Sequence, residues 1–63
     1  MDFKNNLKNL IKENNLNNNQ LALKSNVSRS LITHYLNGTK EPTLQTLEKL
    51  KIVLNCSYDD LLK

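Results

Sequence analysis

The sequence is poor in the residues that small proteins use to reinforce a weak core. Its 63 residues include one cysteine, one glycine, one proline and no tryptophan, and aromatic residues make up only 5% of the chain. A single thiol cannot form an internal disulfide, so Cys56 is expected to pack as a small buried hydrophobe, with a reactive thiol or an intermolecular disulfide as the alternative. A chain of this length buries about 60% of its unfolded surface, which predicts one compact domain spanning residues 1–63.

The sequence also lacks the residue groups on which several functions depend. No stretch approaches the roughly 20 apolar residues of a membrane span, and the N-terminus has no apolar run typical of a signal peptide. The chain has one histidine, and its carboxylates cluster only at Asp59 and Asp60. We therefore expect a cytoplasmic protein that does not insert into membranes, is not an enzyme, and needs neither a metal nor a cofactor.

The basic charge is concentrated in the middle of the chain. Residues 14–40 contain no Asp or Glu, yet they contain Lys24, Arg29 and Lys40, so this segment has a charge of +3. The net charge of the whole chain is also +3, because the charges of the two flanking segments cancel. An acid-free segment of this kind favours a polyanionic partner.

One pattern recurs four times along the chain. It consists of a hydrophobic residue, then a helix-capping residue, and a second hydrophobic residue five positions after the first. This pattern is the hydrophobic staple, in which the residue before the N-cap packs against the fourth helical residue. The predicted caps are Asn17, Ser28, Thr43 and Ser57. Asn26 and Asn55 suit the left-handed conformation that ends helices 2 and 4, and Gly38 ends helix 3.

A first helix precedes these four. Its apolar residues recur at helical spacing after Asp2, the expected N-cap, and are Phe3, Leu7, Leu10 and Ile11. A parallel stripe is formed by Lys4, Lys8 and Lys12. The stripe is most simply a solvated face, and contact with a flanking phosphate is the alternative. Since no segment alternates as a strand does, the sequence predicts an all-α domain of five helices.

Helix 3, predicted from the cap at Ser28 to about Asn37, has two distinct faces. The apolar face consists of Leu31, Ile32, Tyr35 and Leu36, and the opposite polar face consists of Arg29, Ser30, Thr33, His34 and Asn37. Arg29 lies in the first turn, where the helix dipole disfavours a cation by about 0.3–1 kcal/mol. A helix that enters the DNA major groove with its N-terminal end forward needs a cation at that position.

The polar face therefore predicts DNA recognition by helix 3. Arg29 is suited to guanine O6 and N7, while Ser30 and His34 are placed to reach adjacent base edges and Thr33 a thymine methyl or a phosphate. An ordinary polar surface is the alternative interpretation of these residues. Phosphate contacts are expected from short polar and basic residues that flank the face, namely Asn17, Asn18, Asn19, Asn37, Thr39, Lys40 and Thr43. For Asn17 and Thr43, helix capping alone is the alternative.

Four stretches together resemble the Cro/CI-type (XRE-like) helix-turn-helix family: LNNNQLA, NVSRSLITHYLNG, KEPTLQTLEKL and NCSYDDLL, within residues 16–62. The resemblance implies a compact five-helix, lambda-repressor-like domain with the helix-turn-helix at helices 2 and 3. It also implies a transcriptional regulator, and we expect a repressor of phage or mobile-element type. Asn18 stands where the family usually has a phosphate-contacting Gln, and Leu36 where it commonly has Glu.

The expected partner is double-stranded DNA with a palindromic operator, bound by a homodimer. Helices 4 and 5 offer a dimer surface at Ile52, Tyr58 and Leu62. The alternative is a protein-interaction module with the same fold, such as an antitoxin, and a regulatory protein partner also remains open.

Overall fold

The computed structural model describes residues 2–63 and divides them into five α-helices. They are α1 (Phe3–Glu13), α2 (Asn18–Ser25), α3 (Arg29–Asn37), α4 (Leu44–Leu54) and α5 (Tyr58–Leu62). No strand occurs between residues 2 and 63. The predicted all-α, five-helix architecture is confirmed. None of the helices in this part of the chain is both long and apolar enough to cross a membrane.

Side-chain caps begin four of the helices, at the four predicted residues. Each cap accepts a hydrogen bond from a backbone N–H three residues later, and the caps are Asn17, Ser28, Thr43 and Ser57. The side chains of Gln20 and Asp60 in turn accept a hydrogen bond from the backbone N–H of their own cap residue, at 3.0 Å in both cases. Both predicted capping boxes are therefore formed, and they fix the starts of α2 and α5.

Asp2 differs from its prediction. Its carboxylate makes no cap hydrogen bond to α1 and instead accepts from the side chain of Asn5 at 3.1 Å. The backbone of Asp2 has φ −120° and ψ 53°, whereas the other four caps have extended backbone. Because extended backbone is what aims a cap side chain at the first N–H groups, Asp2 is placed at the helix start without capping it.

Residues in the left-handed conformation end three of the helices. Asn26, Gly38 and Asn55 adopt this conformation at the ends of α2, α3 and α4, with φ of 57°, 75° and 52°. All three were predicted. Asn15, just after α1, has φ 56° and was not predicted. Asparagine tolerates this region better than most residues, which explains how a chain with a single glycine makes so many tight turns.

Each helix packs mainly against two others, and these contacts close into a ring in the order α1, α3, α2, α4, α5. The ring encloses the buried core, which consists of Phe3, Leu7, Ile11, Leu21, Val27, Ile32, Tyr35, Leu47, Leu50, Leu54 and Leu61. Within the core, the aromatic side chain of Tyr35 meets that of Phe3 edge-on, with the centroids of the two aromatic rings 5.5 Å apart. Since α3 lies between α1 and α2, its remaining side is left uncovered.

The two edges of α1 face different parts of the molecule. On one edge, the Asn6 amide donates to the carbonyls of Leu61 and Lys63, at 3.1 and 3.0 Å, which ties α1 to the end of α5. On the other edge, the side chain of Lys4 passes over Gly38, with its Cδ 3.4 Å from where a β-carbon on that glycine would lie. At about 100° per residue, Lys4 is about 160° around the helix from Asn6. The edge of α1 that contains Lys4, which we call the lysine edge, therefore borders the end of α3.

Cys56 packs against the core as predicted, but it is half-buried rather than buried. Burial raises the pKa of its thiol, the nearby Asp60 carboxylate raises it further, and Lys51 opposes both. The contact with the core and the raised pKa of the thiol both favour a packing role for Cys56.

Candidate nucleic-acid interface

The exposed residues of α3 form one continuous polar strip along the helix. Ile32 and Tyr35 are buried and Leu31 and Leu36 are half-buried on the inner side. The outer side consists of the five predicted residues, Arg29, Ser30, Thr33, His34 and Asn37, and all five are exposed. We call these five residues the outer strip. Because burial holds the inner side, the outer strip can contact a partner without disturbing the core.

Arg29 lies where α2 and α3 approach each other. It lines one groove together with Asn17, Asn18 and Asn19 at the start of α2. It also borders a second groove between the two helices, lined by Ala22, Leu23 and Val27 among others. The structure thus brings the predicted base-reading arginine beside the predicted phosphate-contacting asparagines, although they are ten or more positions apart in the sequence.

The N-terminus of α2 presents free donors on the same side. The backbone N–H groups of Asn18 and Asn19 are the first two of the helix and so have no intrahelical acceptor. Asn17 is already engaged, because its Oδ1 accepts from the backbone N–H of Gln20 at 2.8 Å. Its side-chain NH₂ group remains a donor. Free N–H groups at a positive helix end are suited to a phosphate oxygen.

Two polar groups of α3 are partly occupied within the protein. The hydroxyl of Thr33 donates to the carbonyl of Arg29 at 3.1 Å, so what Thr33 offers outward is its methyl group and an acceptor oxygen. The Nδ1 atom of His34 lies 2.8 Å from Oγ1 of Thr39. Both the backbone N–H and the hydroxyl of Thr39 donate to the carbonyl of His34, at 3.0 and 3.2 Å. A phosphate contact by Thr39 would require it to release His34.

A groove lined by both lysines and acidic residues lies at the C-terminal end of α3. Lys40 and Lys4 line the same groove, together with Gly38 and the carboxylates of Asp2 and Glu41. The sequence predicts the lysine stripe of α1 chiefly as a solvated face, whereas the structure places Lys4 in the same groove as Lys40. No sequence signal marks this proximity, because it depends on how α1 packs on α3.

The N-terminus of α4 completes the set of predicted phosphate contacts. Thr43 is exposed, and its hydroxyl oxygen caps the helix by accepting from the backbone N–H of Thr46 at 3.3 Å. Neither α2, α3 nor α4 has an acidic residue in its first turn, whereas α5 has Asp59 and Asp60 there. The positive ends of three helices are therefore left uncompensated by carboxylates, which favours an anionic partner.

Exposed apolar side chains lie in several places. Ile52 is 69% exposed and Tyr58 37% exposed, while Leu62 is half-buried and packs against the core. The ammonium of Lys51 lies 4.7 Å from the centroid of the Tyr58 ring and covers part of it. Two further apolar residues, Leu23 at 78% and Leu44 at 70%, are more exposed than either. Neither is among the exposed apolar residues predicted from the sequence, although Leu23 lies about 160° around α2 from the buried Leu21.

Together, two helices joined by a tight left-handed turn, an exposed polar strip on the second of them, and flanking N–H and lysine donors define a helix-turn-helix domain suited to DNA. Comparison with known proteins agrees. The model of the helix-turn-helix family matches residues 7–61, and the chain belongs to the Cro/CI-type (XRE-like) helix-turn-helix family. It is a regulator that binds double-stranded DNA. No curated protein and no solved structure matches the chain significantly.

Proposed function

We propose that this protein is a sequence-specific transcriptional repressor of phage or mobile-element type that acts in the cytoplasm. It occupies a palindromic operator as a homodimer, and the bound dimer excludes RNA polymerase without performing any chemistry. The observation that carries the proposal is the outer strip of α3. It is exposed, free of carboxylates and headed by an arginine that lies beside the start of α2. There the backbone N–H groups of Asn18 and Asn19 have no intrahelical acceptor.

In this proposal the outer strip enters the major groove with its N-terminal end forward. Arg29 donates two hydrogen bonds to a guanine, and Ser30 and His34 contact neighbouring base edges. Thr33 offers its methyl group to a thymine, since its hydroxyl proton is directed at the backbone. These contacts specify the sequence, because each base pair presents a distinct pattern of donors and acceptors in that groove.

Phosphate contacts fix the register of the helix on the duplex. On one side the start of α2 supplies Asn17, Asn18 and Asn19. On the other side the end of α3 and the following loop supply Asn37, Lys40 and Thr43, all of which are exposed. The two groups lie at the two ends of the outer strip, and Asn37 is the strip's own last residue. Contacts at both ends are expected for a helix held between two stretches of DNA backbone.

The homodimer is proposed to form through α4 and α5, around Ile52 and Tyr58. Ile52 is the more exposed of the two, and Leu62 contributes only the part of its side chain that the core leaves uncovered. A two-fold dimer reads two half-sites about 34–36 Å apart, so the operator should be a palindrome with half-sites about one turn apart.

The proposal is tested by selection of bound sequences from random duplex DNA at two salt concentrations. Enrichment of a palindrome at both concentrations is expected, with weaker overall retention at the higher salt. Enrichment of a single half-site would retain sequence-specific binding but reject the dimer. If no sequence is enriched over the starting pool, the repressor proposal fails, and a protein-interaction module becomes the better interpretation of the same fold.

A further inference from the structure

His34 and Thr39 form a closed set of contacts at the C-terminal end of α3. The Nδ1 atom of His34 lies 2.8 Å from Oγ1 of Thr39, and that Oγ1 lies 3.2 Å from the carbonyl oxygen of His34. The backbone N–H of Thr39 donates to the same carbonyl at 3.0 Å. Both side chains are exposed. The imidazole is therefore held in one orientation by the residue that follows the helix cap.

The single hydroxyl proton of Thr39 decides which nitrogen of His34 is protonated. If this proton pointed at Nδ1, the hydroxyl and carbonyl oxygens would face each other at 3.2 Å with no hydrogen between them. If the hydroxyl donates to the carbonyl, Oγ1 is free to accept from an Nδ1–H group, and both contacts become hydrogen bonds. The geometry thus favours the neutral tautomer with its proton on Nδ1.

This tautomer defines what His34 presents to the outside. In a neutral imidazole one nitrogen donates and the other accepts, so Nε2 of His34 is an acceptor. An acceptor needs a donor on the facing base. In the major groove the only hydrogen-bond donors are the exocyclic amino groups, N6 of adenine and N4 of cytosine, whereas guanine and thymine present acceptors there.

We propose that Thr39 is a positioning residue that fixes the tautomer of His34 and thereby makes His34 read an exocyclic amino group. The base that faces His34 is then adenine or cytosine. This inference rests on the proposed function, in which His34 faces a base edge. It assigns to Thr39 a role in specificity that differs from the phosphate contact its position in the sequence indicates.

Two substitutions separate the hydroxyl from the shape of the side chain. Thr39→Val keeps the branched shape and removes the hydroxyl, while Thr39→Ser keeps the hydroxyl and removes a methyl group. Thr39 is exposed and lies outside the core, so both variants should fold. Thermal unfolding of each variant serves as the check on folding.

The tautomer can be measured without DNA. His34 is the only histidine of the chain, so nitrogen NMR of the imidazole reports on it alone. At about pH 8, where histidine side chains are ordinarily neutral, the wild-type protein and Thr39→Ser should carry the proton on Nδ1. Thr39→Val should shift it to Nε2, the nitrogen that a histidine in water prefers. A wild-type imidazole with its proton on Nε2 would overturn the inference.

The consequence for base preference is measured by the same selection from random duplexes. His34→Ala identifies the operator position that faces the imidazole, as the one whose preference it abolishes. At that position wild type and Thr39→Ser should enrich adenine or cytosine, and Thr39→Val should lose about 2- to 10-fold of this discrimination, the value of one hydrogen bond. Preferences at the other positions should not change.

The outcomes separate the inference from the proposed function. If wild type enriches an operator but Thr39→Val keeps the full preference at the His34 position, the role of Thr39 is rejected and the repressor proposal stands. Guanine or thymine at that position in the wild-type operator rejects the inference equally. If wild type enriches no sequence at all, both the proposed function and this inference fail.

Discussion

Arg29 is the residue at which the demands of folding and of binding are most clearly opposed. It occupies the first position of α3 and is exposed, so no packing explains its presence. A cation at the positive end of a helix costs about 0.3–1 kcal/mol. The same charge, placed beside the start of α2, is what a guanine edge or a nearby phosphate requires.

Arg29→Ala should therefore change binding and stability in opposite directions. We expect binding to the selected operator to weaken by about 1–3 kcal/mol, with relaxed preference at one base pair. The domain itself should be unchanged or more stable by a few tenths of a kcal/mol, because an unfavourable charge–dipole interaction is removed. Fluorescence anisotropy with the operator and thermal unfolding measure the two effects.

Lys49→Ala is the matched control, since it removes the same charge from an exposed position on α4, which packs mainly on α2 and α5. It should weaken operator binding less than Arg29→Ala and leave base preference intact. If the two variants bind the operator equally well, Arg29 has no part in reading bases.

At the scale of the elements, α5 depends on its capping box because it is only five residues long. The pKa of Asp60 is lowered, first by the hydrogen bond from the backbone N–H of Ser57, then by the Ser57 side chain, and further by the charge of Lys63. A depressed folded-state pKa adds stability that is present above the unfolded pKa, ordinarily about 3.9 for Asp. That stability is lost as the pH falls through the lower, folded value.

Acidification should therefore loosen α5 before the rest of the fold, below about pH 4. Amide hydrogen exchange of α5, compared with that of α3 in the same sample, measures this difference. In Asp60→Asn the carboxylate is absent, so the acid-dependent part of the change should disappear. Equal acid sensitivity of α5 in wild type and in Asp60→Asn would show that another group is responsible.

Most of the helix boundaries were predictable because caps and left-handed turns are local. Ser28 and Gly38 delimit α3 through contacts within a few residues of themselves, and the sequence alone located both ends. The predicted cap at Asp2 is wrong for an equally local reason. The backbone angles of Asp2 turn its carboxylate away from the helix, and no sequence pattern specifies these angles. The apolar spacing of α3 also located the outer strip correctly.

What could not be predicted depends on contacts between elements. The approach of Lys4 to Gly38 and Lys40 follows from how α1 packs on α3, and the helical pattern of α1 is the same whichever neighbour its lysine edge meets. The engagement of His34 by Thr39 requires the chain to turn back at Gly38, which places the hydroxyl over the last turn. Sequence spacing alone gives neither distance.

At the scale of the whole molecule, the packing of α1 on α3 places Lys4 of α1 in the same groove as Lys40, which follows α3. Lys4→Gln and Lys40→Ala should each weaken binding to all duplexes and reduce the salt slope of the binding constant by roughly one unit. Base preference should not change, because a phosphate contact carries no sequence information. Binding isotherms at several salt concentrations, with operator and with unrelated duplex, measure the slope.

Lys49→Gln is the control for the lysine substitutions, since it removes one charge from a helix that does not border α3 in the ring. Its salt slope should stay close to the wild-type value. A Lys4→Gln slope equal to that of Lys49→Gln would return the lysine edge of α1 to the role of an ordinary solvated face.

The residues of α3 that stabilise the ring of helices are different from the residues of the outer strip. Ile32 and Tyr35 anchor α3 from within, and none of the five residues of the outer strip belongs to the core. Mutations in the strip are therefore nearly free of selection for stability. A descendant of this protein could acquire a different operator by exchanging a few surface residues, and two copies in one cell could diverge into regulators that ignore each other's sites while sharing one interior.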